Sequence, residues 1–160
     1  MSIELSDGLK RKEDVKQLFR EYTDMLISND NNFANYLNLQ NYDDELENLE
    51  VKYGLPFGRL YLIYYNKELA GCIALRKINS KLCEMKRLYI RSQFRSKGLG
   101  THLVKKIISD ATEIGYSAIL LDTLPFLQDA IKLYKNFGFY EIESYNNSPM
   151  DNLIYLRLDL

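Results

Sequence analysis

Hydrophobic and polar positions change period several times along the chain. Ile3 to Leu5 opens as a short strand. From Lys10 the pattern turns helical, with Val15, Leu18, Phe19, Tyr22, Met25 and Leu26 recurring at steps of three and four. Residues 28–41 are Asn-rich and read as loop, and residues 42–53 read as a short acidic helix with Leu46 and Leu49 on its apolar side. Gly54-Leu55-Pro56 breaks that helix. Three aromatic and β-branched runs follow, Arg59–Tyr65, Leu69–Arg76 and Leu82–Ile90, joined by turns at Asn66-Lys67-Glu68 and Asn79-Ser80-Lys81. They read as an antiparallel meander.

After the polar, basic stretch 91–97, a helix starts at Leu99. Leu103, Ile107, Ala111 and Ile114 lie on one face, Lys106, Asp110 and Glu113 on others, and Gly115 ends it. Ser117–Leu121 is apolar almost throughout, as in a strand buried on both faces. A further helix runs from about Pro125, with Ala130, Leu133, Tyr134 and Phe137 as its stripe and Gly138 at its end. Phe139–Ser144 and Leu153–Leu158 close the chain as strands. The expected class is α/β (α+β): a mixed, mainly antiparallel sheet of about seven strands flanked by about four helices. No linker or repeat divides the chain, so residues 1–160 read as one domain.

Composition then removes function classes. With 21 Lys+Arg against 22 Asp+Glu, the net charge of −1 argues against a generally basic nucleic-acid binder. One His (His102) and two Cys (Cys72, Cys83) are too few for a Cys₄ or Cys₂His₂ zinc site, so no metal site is expected. The two cysteines form no disulfide framework and read as small core residues, and His102 reads as a surface residue. No apolar run reaches membrane-spanning length, and Met1–Lys10 has no signal-peptide pattern, so a soluble cytoplasmic domain is expected.

The segment that carries chemistry is Arg95-Ser96-Lys97-Gly98-Leu99-Gly100, between a strand and a helix. Two glycines one residue apart let backbone approach a ligand without Cβ obstruction. The helix start behind them offers unpaired N–H groups suited to phosphate. A P-loop is excluded because no Lys-Ser/Thr follows the second glycine. A dinucleotide fingerprint fits poorly, since Leu103 stands where the third glycine belongs and the upstream half is a meander. Asp122 does lie at the end of the next strand, where a ribose-binding acid would sit.

The loop fits R/Q-x-x-G-x-G/A, and Ala130-Ile131-Lys132-Leu133-Tyr134-Lys135-Asn136-Phe137-Gly138-Phe139 fits A-x-x-L-Y-x-x-x-G-F. Both motifs, in order and separated by one helix and one buried strand, resemble those of the GNAT family of N-acetyltransferases. The resemblance covers about residues 58–158. It implies a cofactor-binding core over 58–160, with 1–57 shaping the substrate side, and a direct transfer of acetyl from acetyl-CoA to a primary amine.

The resemblance also implies roles. Pantetheine would pair with the backbone of Leu88, Tyr89 and Ile90 as an added strand. The Leu88 N–H would face the thioester oxygen. The backbone from Ser96 to Thr101, through Lys97, Gly98, Leu99 and Gly100, would hold the pyrophosphate, helped by Arg95 and Lys97. Glu84, with a spacing to Gly98 like that of the family's general base, would take the amine's proton. Strict alternation puts it on one face with Lys86, Leu88 and Ile90; its structural alternative is a surface ion pair with Lys86 or Arg87. Tyr134 would protonate the departing thiolate, or serve as a core aromatic, or both.

One position departs from the family: Leu127 stands where many relatives have an Asn that touches the cofactor. A catalytically silent CoA-binding domain is therefore the rival reading. Asp122, Thr123 and the loop Tyr145-Asn146-Asn147-Ser148-Pro149 read either as pocket lining or as plain strand-end and turn residues. The acids Asp43, Asp44, Glu45, Glu47 and Glu50 read as a solvated helix face. Partners are expected to be an amine substrate and, as often in the family, a second copy, with no nucleic acid and no membrane. The neutral balance hides an asymmetry: residues 86–106 carry a formal +7 with no acid, leaving −8 elsewhere.

Overall fold

In the computed structural model, residues 2–29, 42–146, 148, 150 and 152–160 are described. Most of the Asn-rich loop, along with Asn147 and Pro149, lies outside them. Seven strands among the described residues form one sheet in the order β1-β2-β3-β4-β5-β7-β6. They are β1 (Ile3–Asp7), β2 (Arg59–Tyr65), β3 (Glu68–Lys77), β4 (Leu82–Ile90), β5 (Ala118–Thr123), β6 (Tyr140–Ile142) and β7 (Ile154–Asp159). All pairings are antiparallel except β4 with β5. Five α-helices are described: α1 (Lys12–Asn29), α2 (Tyr42–Glu47), α3 (Leu49–Tyr53), α4 (Leu99–Ile114) and α5 (Gln128–Asn136). The acidic helix of the sequence reading is two helices, because the chain leaves helical geometry at Asn48 (φ −133°, ψ 55°).

The sheet is covered on both sides, which explains why β3 and β5 are apolar almost throughout. On one side α4 and α5 pack Leu99, Leu103, Ile107 and Tyr134 over Ile73, Met85, Ile119 and Leu121. On the other, Val15, Leu18 and Phe19 of α1, with Leu46, Leu49 and Tyr53 from α2 and α3, cover Leu60, Leu62, Cys72 and Ala74. The described helices before residue 58 thus share the core of the sheet. Cys72 and Cys83 are buried thiols, each pushed up to about 12, mainly by burial.

Two helix faces differ from the simple amphipathic reading. Asp110 is buried, not solvated: the Tyr61 hydroxyl donates to it, and Lys106 and Arg59 lie 3.3 and 3.7 Å away. Glu45 is likewise buried, for the reason given below. His102 is exposed.

Candidate active site at the splay of two strands

Strands β4 and β5 run together only from Leu82↔Ala118 to Glu84↔Leu120 and then part. Parting strands leave backbone N–H and C=O groups without ladder partners, which is where another extended chain can pair. The split follows from a bulge on β4. Cys72 and Ala74 of β3 face Tyr89 and Lys86, so β4 fits one residue more than β3 into that interval. Arg87 takes up the extra residue at φ 62°, a left-handed conformation that a side chain disfavours by about 1–2 kcal/mol.

The surroundings of Arg87 hold it there. Its Nε and Nη2 donate to the two carboxylate oxygens of Glu45, each at 3.0 Å. Its guanidinium lies 5.3 Å from the Tyr42 ring and 5.7 Å from Phe19, and its carbonyl accepts from the Cys72 thiol. Lys52 adds a second charge to Glu45 at 2.8 Å. Burial opposes ionisation of Glu45, but the Arg87 charge and hydrogen bonds, with Lys52, bring its carboxyl down to about 2. The acid expected on a solvated face is therefore the anchor of the bulge.

The bulge also corrects the expected alternation. Glu84 and Lys86 do not share a face with Leu88 and Ile90. Leu88 and Ile90 pack with Met85 against the α4 side, because the added residue inverts the phase of the strand. Tyr89 turns to α1 instead, its hydroxyl 3.4 Å from Glu21 and its ring 5.7 Å from Tyr22.

Glu84 sits at the last paired position, behind the split. It is buried and engaged: Arg76 Nε donates at 2.6 Å, the Tyr145 hydroxyl donates to its other oxygen, and Lys86 Nζ is 3.9 Å away. Burial pushes its carboxyl up, but Lys86, Arg76 and Tyr145 together hold it below the usual range. Its partners are thus Arg76 and Tyr145 as well as the expected Lys86; Arg87 belongs to Glu45.

A cleft opens at the split, lined by Tyr22, Lys86, Arg87, Asp122, Thr123 and Leu127 together with Leu26, Met85, Leu124 and Leu153. Asp122 and Thr123 line the cleft and are also the last two residues of β5, so both open readings apply to them. Burial and the nearby Glu84 raise the Asp122 carboxyl, which also accepts from Asn146 at 3.0 Å. Leu127 gives the cleft an apolar wall. Gln128 does not substitute for the missing amide there, since its Nε2 donates to the Pro125 carbonyl. Tyr134 is buried beside the cleft, ring to ring with Phe139 at 5.7 Å; burial, with Tyr22 and Asp122, raises its phenol further. It therefore keeps its O–H throughout physiological pH.

Beyond β4 a 3₁₀ turn at Ser92–Phe94 leads into the glycine loop. Ser96 (φ 62°) and Gly98 (φ 77°) are both left-handed, a pattern that aims successive backbone N–H groups at one point. Gly98 is the N-cap of α4 and supplies no side-chain cap, and the first helical bond runs from His102 N to Gly98 O at 3.2 Å. The N–H groups of the first turn are thus directed outward. A Cβ on Gly100 would lie 3.1 Å from Leu133 Cδ2, so the second glycine also brings α4 close to α5 and joins the two motifs physically. The local positive charge is narrower than the sequence suggests. Arg87, Arg91 and Lys106 are matched by Glu45, Glu21 and Asp110, whereas Arg95, Lys97 and Lys105 stay exposed. Arg95 Nε is 3.1 Å from the Ile90 carbonyl and Lys97 Nζ lies 5.0 Å over the Tyr65 ring, both beside the loop.

Lys86, Tyr22 and Arg87 line the cleft without standing out in the sequence as lining residues. The pairing of Lys86 with Glu84 at two-residue spacing was the available signal for the first. Among the described residues no group of three or more His, Cys, Asp or Glu is placed to hold a metal, and no helix is long and apolar enough to cross a membrane.

Known proteins resemble this chain in sequence and fold. An uncharacterised N-acetyltransferase of Schizosaccharomyces pombe is 41% identical over 150 residues, covering 92% of this chain and 88% of its own. An acetyltransferase from Streptococcus agalactiae superposes with a TM-score of 0.78 over 99% of this chain and 98% of its own, at 19% identity. A GNAT acetyltransferase from Elizabethkingia anophelis with acetyl-CoA bound superposes with a TM-score of 0.55 at 26% identity, over 64% of this chain and 76% of its own. Residues 15–139, which run from the first core helix through both motifs, match the acetyltransferase (GNAT) family, and the chain belongs to that family.

Proposed function

We propose that the protein transfers acetyl from acetyl-CoA to a primary amine by direct attack in a ternary complex. The observation that carries this reading is the continuity of one path. Strand β4 leaves its partner after Glu84 and runs past the cleft into a loop whose left-handed Ser96 and Gly98 gather backbone donors. An extended pantetheine suits the backbone of Leu88–Ile90, and a pyrophosphate suits residues 96–101 with Arg95 and Lys97.

In this reading the Leu88 N–H stabilises the oxyanion as nitrogen adds to the thioester carbonyl. Tyr134, held neutral by burial, protonates the sulfur as it departs. The amine enters from the cleft between β4 and β5, and Glu84, just behind the split, supplies negative charge that favours loss of its proton. Direct attack needs no protein nucleophile, in keeping with two buried thiols of raised pKa. Free buried cysteines also suit the reducing cytoplasm, where we place the protein.

Thermal stability with acetyl-CoA, CoA and NAD, followed by thiol release over a panel of amines, tests the reading. Stabilisation by both CoA forms but not NAD, with thiol release for one amine class, is expected. Stabilisation without thiol release for any amine would favour the silent CoA-binding domain, and no stabilisation would refute both.

A further inference from the structure

The charged groups around the cleft are almost all committed. Glu45 is held by Arg87 and Lys52, Glu84 by Arg76 and Tyr145, and Asp122 accepts from Asn146. Lys86 is the exception. It lines the cleft, its side chain is 12% exposed, and its Nζ makes no hydrogen bond among the described residues. The only carboxylate oxygen within 4 Å of it there is Glu84 Oε1, at 3.9 Å, beyond hydrogen-bonding reach.

Resting on the proposed acetyl transfer, we propose that Lys86, as a neutral amine, accepts the proton from the acceptor nitrogen, and that Glu84 is a positioning residue acting through it. Lys86 fits by place, since it stands at the mouth of the split, whereas Glu84 lies one pair behind it. It fits by chemistry, since a proton acceptor needs a lone pair not already engaged. Atoms balance: the C–N bond forms, the C–S bond breaks, the nitrogen's proton passes to Lys86 Nζ, and the Tyr134 hydroxyl proton passes to sulfur. Exchange with water resets both side chains.

The surrounding charges support a neutral amine. Burial disfavours the ammonium most, and Arg87 beside it on β4 and Lys52 from α3 add to that. Glu84 and Glu45 oppose them, and the balance brings Lys86 down to about 7. Across the cleft Asp122 of β5 is itself raised by burial and Glu84, and Tyr22 of α1 is a neutral phenol raised to about 12. Glu84, low in pKa and between Arg76 and Lys86, stays charged and stabilises the ammonium once it forms.

The test compares wild type with Lys86→Arg and Lys86→Met, using the best amine from the panel, between about pH 5.5 and 8.5. Arginine keeps the charge but cannot release a proton. Both variants should lose on the order of 100-fold in kcat/KM at pH 8, with acetyl-CoA affinity within about threefold. The wild-type to Arg ratio, in which the acceptor's own titration cancels, should rise about tenfold per pH unit up to about 7 and then level. A Lys86→Arg variant as active as wild type, or a flat ratio, would overturn the proposal and make Lys86 a fixed cation for an anionic acceptor. A ¹⁵N titration of the Lys86 amine, assigned by its loss in Lys86→Arg, reads the same claim without turnover. Titration near 7 supports it, and titration near the ordinary value of about 10.4 overturns it. Failure of the acetyl-transfer reading is distinct: wild type would then bind no acetyl-CoA or acetylate no amine.

Discussion

Replacing Glu45 by Gln removes the counter-charge of an Arg87 whose side chain is only 4% exposed, while Glu45 itself is 2% exposed. Two routes give the size of the effect. The drop of the Glu45 carboxyl from 4.5 to about 2 is worth about 3 kcal/mol at 1.36 kcal/mol per unit. Removing one member of a buried pair costs about 3–5 kcal/mol, because the other charge stays buried. For a domain of this size that is a fall in Tm on the order of 10 °C. The sign with pH follows from a native pKa below the unfolded one. The contribution is complete above about 4.5 and is lost as pH falls from there towards about 2. Thermal melts of wild type and Glu45→Gln at pH 7 and across pH 6 to 2.5 should show a wide gap at neutral pH that closes in acid. A gap under about 2 °C at pH 7, or one that does not narrow, would refute the claim that this pair anchors the bulge.

Other variants separate the parts of the site. Gly98→Ala places a Cβ at φ 77° in otherwise open space, so strain of about 1–2 kcal/mol should lower Tm by several degrees. Acetyl-CoA affinity, by calorimetry, should fall about tenfold or more, since the loop's left-handed turn aims its donors. Gly100→Val presses on Leu133, 3.1 Å from even a Cβ, and should lower stability by about 1–3 kcal/mol in denaturant melts. Tyr134→Phe keeps the ring packed on Phe139, so Tm should hold within about 2 °C while single-turnover rates fall about tenfold or more. An unchanged rate would leave Tyr134 as core alone.

Much of this was legible in the chain because it depends on local rules. Gly98 and Gly100 mark a loop and helix start, and the stripe from Ala130 to Phe137 marks α5, whatever packs around them. What was not legible depends on partners far away in sequence. Nothing local in Lys86-Arg87-Leu88 announces a left-handed arginine; Glu45, 42 positions earlier, secures it. The alternation of β4 therefore failed at that point. Asp110, off the apolar stripe of its helix, is buried because Tyr61, 49 positions earlier, donates to it. The break at Asn48 similarly lets Glu45 face the sheet while Leu49 and Tyr53 still pack.

The central claim is that the split strands and the glycine loop form one acetyl-CoA site at which an amine is acylated. Its most direct test follows acetyl-CoA, free thiol and acetylated amine together, by mass spectrometry, for wild type and Gly98→Ala over the amine panel. The account predicts thiol and acetylated amine in equal amounts for one amine class, at a rate reduced in the variant at sub-saturating acetyl-CoA. Thiol released without acetylated amine, or transfer indifferent to the Gly98 change, would contradict it.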